Sequence, residues 1–189
     1  MRRAFLLALM ISLLLLPGCG SESQWEEALE AKRTELAGYD SLSFTAELTA
    51  DMGESVFRCT LDCRRSGGET VLTVVEPELA RGVTARVKEG ETVLAYDGLE
   101  LSVGTLPDSA LTPVGSVPVL LDALLEGFVT GCRRESTDSG ELLAVQVYVD
   151  EDSYALLWLE SESLRPVKAE LVCGQRAVVS CRIEDFQGE

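Results

Sequence analysis

Six cysteines and no histidine set the chemistry open to this chain. Without an imidazole the commonest general base is gone, and with it every Ser-His or Cys-His nucleophile pair and most zinc sites. Lys32, Lys88 and Lys168 are the lysines left for a Ser-Lys scheme, and none falls in a recognisable motif. Paired carboxylates are the remaining route to an enzyme, so no catalytic residue is assigned and no cofactor is expected. Beyond Cys19 there are five cysteines, an odd number that allows two disulfides at most. Cys59 and Cys63 lie two strand steps apart on one face, about 13 Å, too far to bond each other. As a Cys-x3-Cys zinc pair they lack two further ligands, and no metal is expected. Cysteine is read here as a small apolar side chain lining an interior, with disulfides between distant strands left open. Asp150-Glu151-Asp152 has the charge for calcium, yet three acids at a hairpin tip more often form a solvated turn. Arg64-Arg65 and Arg133-Arg134 could meet an acidic partner, but read first as strand-end solubility.

Cys19 stands apart from the other five. Met1-Arg2-Arg3 is a positive start, and Ala4 to Leu16 is apolar apart from Ser12. That run of 13 residues is too short to span a bilayer as a permanent helix and has the flanks of a secretory signal. The closing Leu16-Pro17-Gly18-Cys19 resembles the lipobox of bacterial lipoproteins. The resemblance implies a diacylglyceryl group on the Cys19 thiol, cleavage after Gly18 and acylation of the new N-terminus. Several acyl chains on one residue anchor a protein nearly permanently, since each buried methylene contributes about 0.8 kcal/mol. The alternative is an ordinary secretory signal in which the cysteine is incidental. The expected organisation is a signal over residues 1–18, a lipidated tether over 19–24 and one domain over 25–189. The protein would sit outside the cytoplasm, held by Cys19 to the cell membrane, or to an outer membrane if the cell has one.

Removing the first 18 residues removes Arg2 and Arg3 and no acid. The remaining 171 residues hold 14 basic and 32 acidic side chains, a formal charge of −18. Such a surface repels phosphates, which excludes nucleic acid as a partner. It also excludes a basic face lying on anionic lipid, so membrane contact is assigned to the anchor. A hydrophobic content of 46% is that of a chain with a core.

The elements follow from periodicity. Ser23-Gln24-Trp25-Glu26 reads as a capping box. Trp25, Ala28, Leu29 and Leu36 form one helical face, Glu26, Glu27, Glu30 and Arg33 the other, and Gly38 is the stop. From Leu42 the period becomes two. Phe44, Ala46 and Leu48 are expected opposite Leu61, Cys59 and Phe57, with Leu72 opposite Leu61 in the next strand. Val83 to Val87 continues the alternation, and Asp97-Gly98 is a hairpin that sets Leu94 opposite Leu101. Thr105 to Gly115, with Pro107 and Pro113, reads as a surface loop. Ser116 is expected to cap a second helix, Val117 to Phe128, whose apolar surface needs a cover. Five more strands follow from about Val129, with Val145 opposite Trp158, Val147 opposite Leu156 and Leu171 opposite Val179. The sum is a mainly β, α+β domain of ten or eleven antiparallel strands with one apolar face.

The closing stretch Leu156-Trp158-Leu159, Leu164-Arg165-Pro166-Val167-Lys168-Ala169-Glu170-Leu171 and Ile183-Glu184-Asp185-Phe186 resembles the outer-membrane lipoprotein carrier (LolA/LolB-like) superfamily. Tyr96-Asp97-Gly98 is similar to that family's central hairpin. The resemblance runs from about Trp25 to Phe186. It implies a curved, unclosed half-barrel whose concave face is covered by helices and can hold acyl chains. Phe44, Leu48, Phe57, Leu61, Leu94, Leu101, Val147 and Trp158 would line that face, and Leu121 and Leu124 would face it from the cover. The carriers use an inward arginine to hold the cover, whereas Arg58 and Arg86 fall on the outward parity. They also lack a lipobox, so the anchored acceptor is the nearer type. The leading expectation is an anchored, non-enzymatic binder of an apolar ligand or a lipidated protein. The alternative is a protein–protein partner at the cell envelope or spore cortex, as in sporulation and germination lipoproteins of similar type. The same side chains could also simply fill a core.

Overall fold

The computed structural model describes residues 21–105, 112–138 and 140–189. Cys19 and most of the expected loop after Thr105 therefore lie outside the described residues. Two units divide the chain between Lys32 and Arg33, within helix α1 (Ser21–Ala37). The helix begins two residues before Ser23, so that residue lies inside it and does not cap it.

The second unit carries the sheet. Its strands are β1 (Ser41–Asp51), β2 (Val56–Ser66), β3 (Glu69–Glu76), β4 (Thr84–Lys88), β5 (Glu91–Tyr96) and β6 (Leu99–Thr105). After α2 (Pro113–Glu126) come β7 (Val129–Thr137), β8 (Gly140–Tyr148), β9 (Ser153–Glu160), β10 (Pro166–Cys173) and β11 (Arg176–Gly188). They form one 11-stranded antiparallel sheet in the order β6-β5-β4-β3-β2-β1-β11-β10-β9-β8-β7. The chain meanders, and the first and last strands meet in the middle. The edges, β6 and β7, do not pair, so the sheet stays open. Register shifts at Ser43/Thr45, Thr60/Leu61, Thr92/Val93, Val129/Gly131, Pro166/Lys168 and Leu171/Val172 bend and twist it along its width.

One face of the sheet is the core. Leu42, Phe44, Ala46, Leu48 and Ala50 of β1 are buried. So are Leu61 and Cys63, Leu72, Ala85, Val179 and Cys181, Ala169 and Leu171, Ala155 and Leu157, and Val145 and Val147 on the flanking strands. The expected faces of β1 to β3 are correct, but two registers move by two residues. Leu48 faces Cys59 and Ala46 faces Leu61, because the turn is Met52 to Ser55, with Asp51 Oδ1 accepting from the Gly53 amide at 2.8 Å. Leu72 faces Cys63, because Gly67-Gly68 is a two-residue hairpin with both φ angles positive, 55° and 78°. An even shift leaves every side chain on its side. Between β8 and β9 the shift is odd. Val147 faces Ala155 and Val145 faces Leu157, since the connection is one residue longer than expected, with Val149 and Asp150 amides both donating to Ser153 O. Trp158 is thereby turned to the other face.

Candidate apolar site and its cover

Helix α2 begins a turn earlier than its sequence suggests. Thr112 is the cap, its hydroxyl accepting from the Gly115 amide at 3.0 Å, and Pro113 takes the first position, where a missing N–H costs nothing. Ser116 lies inside, donating to Pro113 O at 3.1 Å, and Pro118 is mid-helix. The helix stops at Glu126, so Phe128 leaves the expected apolar face and is exposed. Gly127 is required by close approach: a Cβ there would meet Val147 Cγ1 at 2.2 Å and Ala123 O at 2.7 Å. Gly127→Ala is expected to cost about 1–3 kcal/mol through overpacking, a fall of roughly 2–12 °C in Tm measured by calorimetry.

Val117, Leu120, Leu121 and Leu124 are buried, and α2 lies against β1, β4, β8, β9 and β10. Where they meet Phe44, Leu157, Ala169 and Cys181 the packing is tight, leaving a cavity of about 20 Å³. Phe186, from the irregular end of β11, stacks on Phe44 at 5.7 Å and closes one side of it.

Two arginines fasten this cover. Arg33, at the boundary within α1, donates through Nε to Leu124 O at 2.9 Å and through Nη2 to Gly127 O at 2.9 Å and Ala123 O at 3.3 Å. These carbonyls end α2, where the helix dipole favours a cation. Arg65, at the end of β2, holds Asp122 Oδ1 at 2.7 Å and donates to Thr70 Oγ1 at 3.2 Å. Arg65, and neither Arg58 nor Arg86, is thus the sheet arginine paired with this helix. It faces Leu42 across β1 and shares its side of β2 with Leu61 and Cys63, a parity legible in the sequence. Arg86 does point outward, paired with Glu100 at 2.6 Å. Arg33 was assigned to the polar face of its helix; its place three residues before Leu36 and four after Leu29 was the available signal for a role beside the apolar stripe.

Burial holds the Asp122 carboxyl above the usual carboxylate range, and Arg65 only partly offsets this. A raised acid binds its proton more tightly in the folded state. Its effect on stability is absent below the unfolded pKa and becomes a full cost above the folded one. Asp122→Asn is expected to leave stability at pH 7 unchanged or higher and to flatten its pH dependence above the ordinary carboxylate range, read from urea midpoints across pH.

Of the expected lining, Phe44, Leu48, Leu61, Leu121, Leu124 and Val147 are buried in the covered region, and Leu94 is half-buried. Phe57 and Leu101 share the face but are 53% and 62% exposed. Trp158 is a correction. It packs on the opposite face, its Nε1 donating to Glu135 Oε2 at 2.8 Å and Lys168 Nζ lying 4.3 Å from its ring. The five described cysteines beyond Cys19 are free thiols. Burial pushes the Cys181 thiol up to about 12, with Cys59 adding to it, and drives Cys63 higher still. Among the described residues no cluster of three or more His, Cys, Asp or Glu side chains could hold a metal ion.

No family model matches this sequence, and no curated protein matches it. Solved structures do. A DUF1329 family protein from Desulfovibrio piger is 10% identical with a TM-score of 0.51, over 86% of this chain and 91% of that one. A domain from Vibrio parahaemolyticus described as a candidate outer membrane lipoprotein-sorting protein is 10% identical with a TM-score of 0.50, over 86% and 91%. A LolA superfamily protein from Nitrosomonas europaea is 14% identical with a TM-score of 0.44, over 86% and 93%. With the first two, what is shared is the fold.

Proposed function

We propose, with the LolA-like fold as the premise, that this chain is a lipid-anchored extracytoplasmic protein that takes an apolar ligand between α2 and its sheet. That ligand is an acyl chain, or the lipidated end of another protein. One observation carries the reading. The apolar lining does not end where the cover ends, but runs on from buried Leu61 through half-buried Leu94 to exposed Phe57 and Leu101. A core that served only packing has no use for that extension.

The cavity of about 20 Å³ is that of a closed form. Ligand pockets are about 300–1,000 Å³, so α2 must lift to admit a chain. Its fastenings suit that motion, since Arg33 and Arg65 hold it by polar contacts that water can replace. Burial at about 25 cal/mol per Å² supplies the affinity, without charge chemistry or catalysis. Cys19 carries the anchor, and residues 1–18 are the signal that exports the chain.

The test is native mass spectrometry of residues 20–189, purified without detergent and followed by lipid extraction. A bound species of lipid mass is expected, and Phe57→Asp, at an exposed position, should release it from a folded protein. A clean mass for the parent chain would sink the proposal. The chain would then be better sought as a partner of an envelope or spore-cortex protein.

A further inference from the structure

The face of the sheet turned away from α2 carries two grooves that meet. One, of about 690 Å³, runs over β2, β1, β11 and β10, where Arg58, Lys168 and Arg182 line it with the hydroxyl-bearing Thr49, Thr60 and Ser180. The other, of about 860 Å³, is lined by Glu141, Glu160, Glu162 and Glu184, with Leu142 among them. Val167 and Arg182 belong to both, so the two form one trough. Its ends differ in charge. The sequence has 32 acidic and 16 basic side chains, so carboxylates are plentiful for every cation. Most described arginines are accordingly ion-paired, among them Arg182 to Glu47 at 3.1 Å. Lys168 is held by Glu170 at 2.7 Å. Arg58 has no such partner among the described residues, although Glu76 lines the same end of the trough. At the opposite end Glu160 is paired with Arg165, while Glu141, Glu162 and Glu184 are exposed and have no side-chain partner among the described residues.

We propose that this trough docks an extended segment of a partner protein, with an acidic side chain at Arg58 and a basic one at Glu184. The docking is independent of what binds beneath α2. Spacing sets the segment. Arg58 faces Thr49 and Thr49 faces Ser180, so two strand spacings, about 10 Å, separate Arg58 from β11. Glu184 lies about 13 Å further along β11 than Ser180, which places the two charged residues roughly 16 Å apart. An extended chain advances about 3.3 Å per residue, so a segment whose acid and base are about five residues apart spans that distance. The hydroxyls of Thr49, Thr60 and Ser180 can donate to or accept from its backbone. Half-buried Leu142 and Val167 offer an apolar bed to the stem of its basic side chain. Charge complementarity selects this occupant. A purely acidic segment is repelled by Glu141, Glu162 and Glu184, and a purely basic one meets Arg58 with the wrong sign.

The test is fluorescence anisotropy of labelled, end-blocked hexapeptides titrated with the full-length chain in a nonionic detergent. A peptide with Asp first and Lys last, joined by alternating Thr and Val, is expected to bind saturably. Peptides with Asp at both ends or Lys at both ends should bind about tenfold more weakly. Arg58→Glu should invert that order, so that the peptide with two lysines binds best and the mixed peptide loses about tenfold. Glu184→Arg should instead favour the peptide with two aspartates. Arg134→Glu makes the same charge change outside the trough and should keep the parent order. Absence of saturable binding, equal binding of all the peptides, or an order that Arg58→Glu and Glu184→Arg both leave unchanged overturns the proposal. So does a dimer, seen by analytical ultracentrifugation, that Arg58→Glu dissociates, since it assigns the trough to a second copy of the chain.

Discussion

Alanine in place of Arg33 is expected to speed amide hydrogen exchange across α2 by roughly 30- to 100-fold while the central strands keep their protection. The guanidinium makes three hydrogen bonds to the carbonyls that end the helix. Hydrogen bonds from a charged donor contribute about 1.5–3 kcal/mol, and removal also leaves part-buried carbonyls without their donor. A loss of about 2–3 kcal/mol, concentrated at one end of α2, shifts the local opening equilibrium by the stated factor, since each 1.4 kcal/mol is tenfold. Exchange should return toward the parent rate with Arg33→Lys, although only in part, because a single ammonium cannot reproduce the fork. Equal loss of protection in α2 and in β1, β10 and β11 would mean that the helix is part of one cooperative core. It would then not be a cover that opens by itself.

Cys181 should react with iodoacetamide at pH 8 roughly a thousandfold more slowly than an unhindered thiol. The nucleophile is the thiolate, and a thiol pushed up to about 12 is ionised to only about one part in ten thousand at that pH. Cys63, higher still and buried, should be slower again, whereas half-buried Cys132 should label at a rate set by access. Mass spectrometry of peptides after timed alkylation reads each site. Cys181 lines the space beneath α2, so Arg33→Ala should quicken its labelling along with exchange in the helix. Labelling of Cys181 as fast as Cys132 in the parent protein would rule out the closed, dry interior described above.

How much of this was legible before the structure depended on whether a feature is local or needs a third dimension. Strand faces on the N-terminal half were readable because alternation survives an even register error: Leu48 stays inside whether it faces Phe57 or Cys59. Trp158 was not readable, because one extra residue in the connection after Tyr148 inverts the parity of β9, and Leu156-Leu157-Trp158-Leu159 is apolar at every position. The start of α2 was misplaced because Ser116 looks like a cap, while Thr112-Pro113, the actual pair, sits in a stretch that reads as loop. The extent of the apolar lining was readable as composition. Its division into a covered part and an open part was not, since it depends on where a helix of 14 residues lands on a sheet of 11 strands.

The seam where β1 meets β11 makes its own demand on folding. Every other pairing in the sheet joins neighbours along the chain, so those pairings close short loops and can form early. The seam joins Ala46 to Ile183 and Ser41 to Glu189, whose backbones exchange bonds of 3.0 and 2.9 Å. Its loop-closure entropy is the largest in the domain. The two meanders, β1 to β6 and β7 to β11, are therefore the natural early units, and their docking is the slow, committing event. Substitutions along the seam should then slow folding as well as hasten unfolding. Glu189 lies beside Ser41, so a short loop joining the two would turn the longest closure in the domain into one of its shortest.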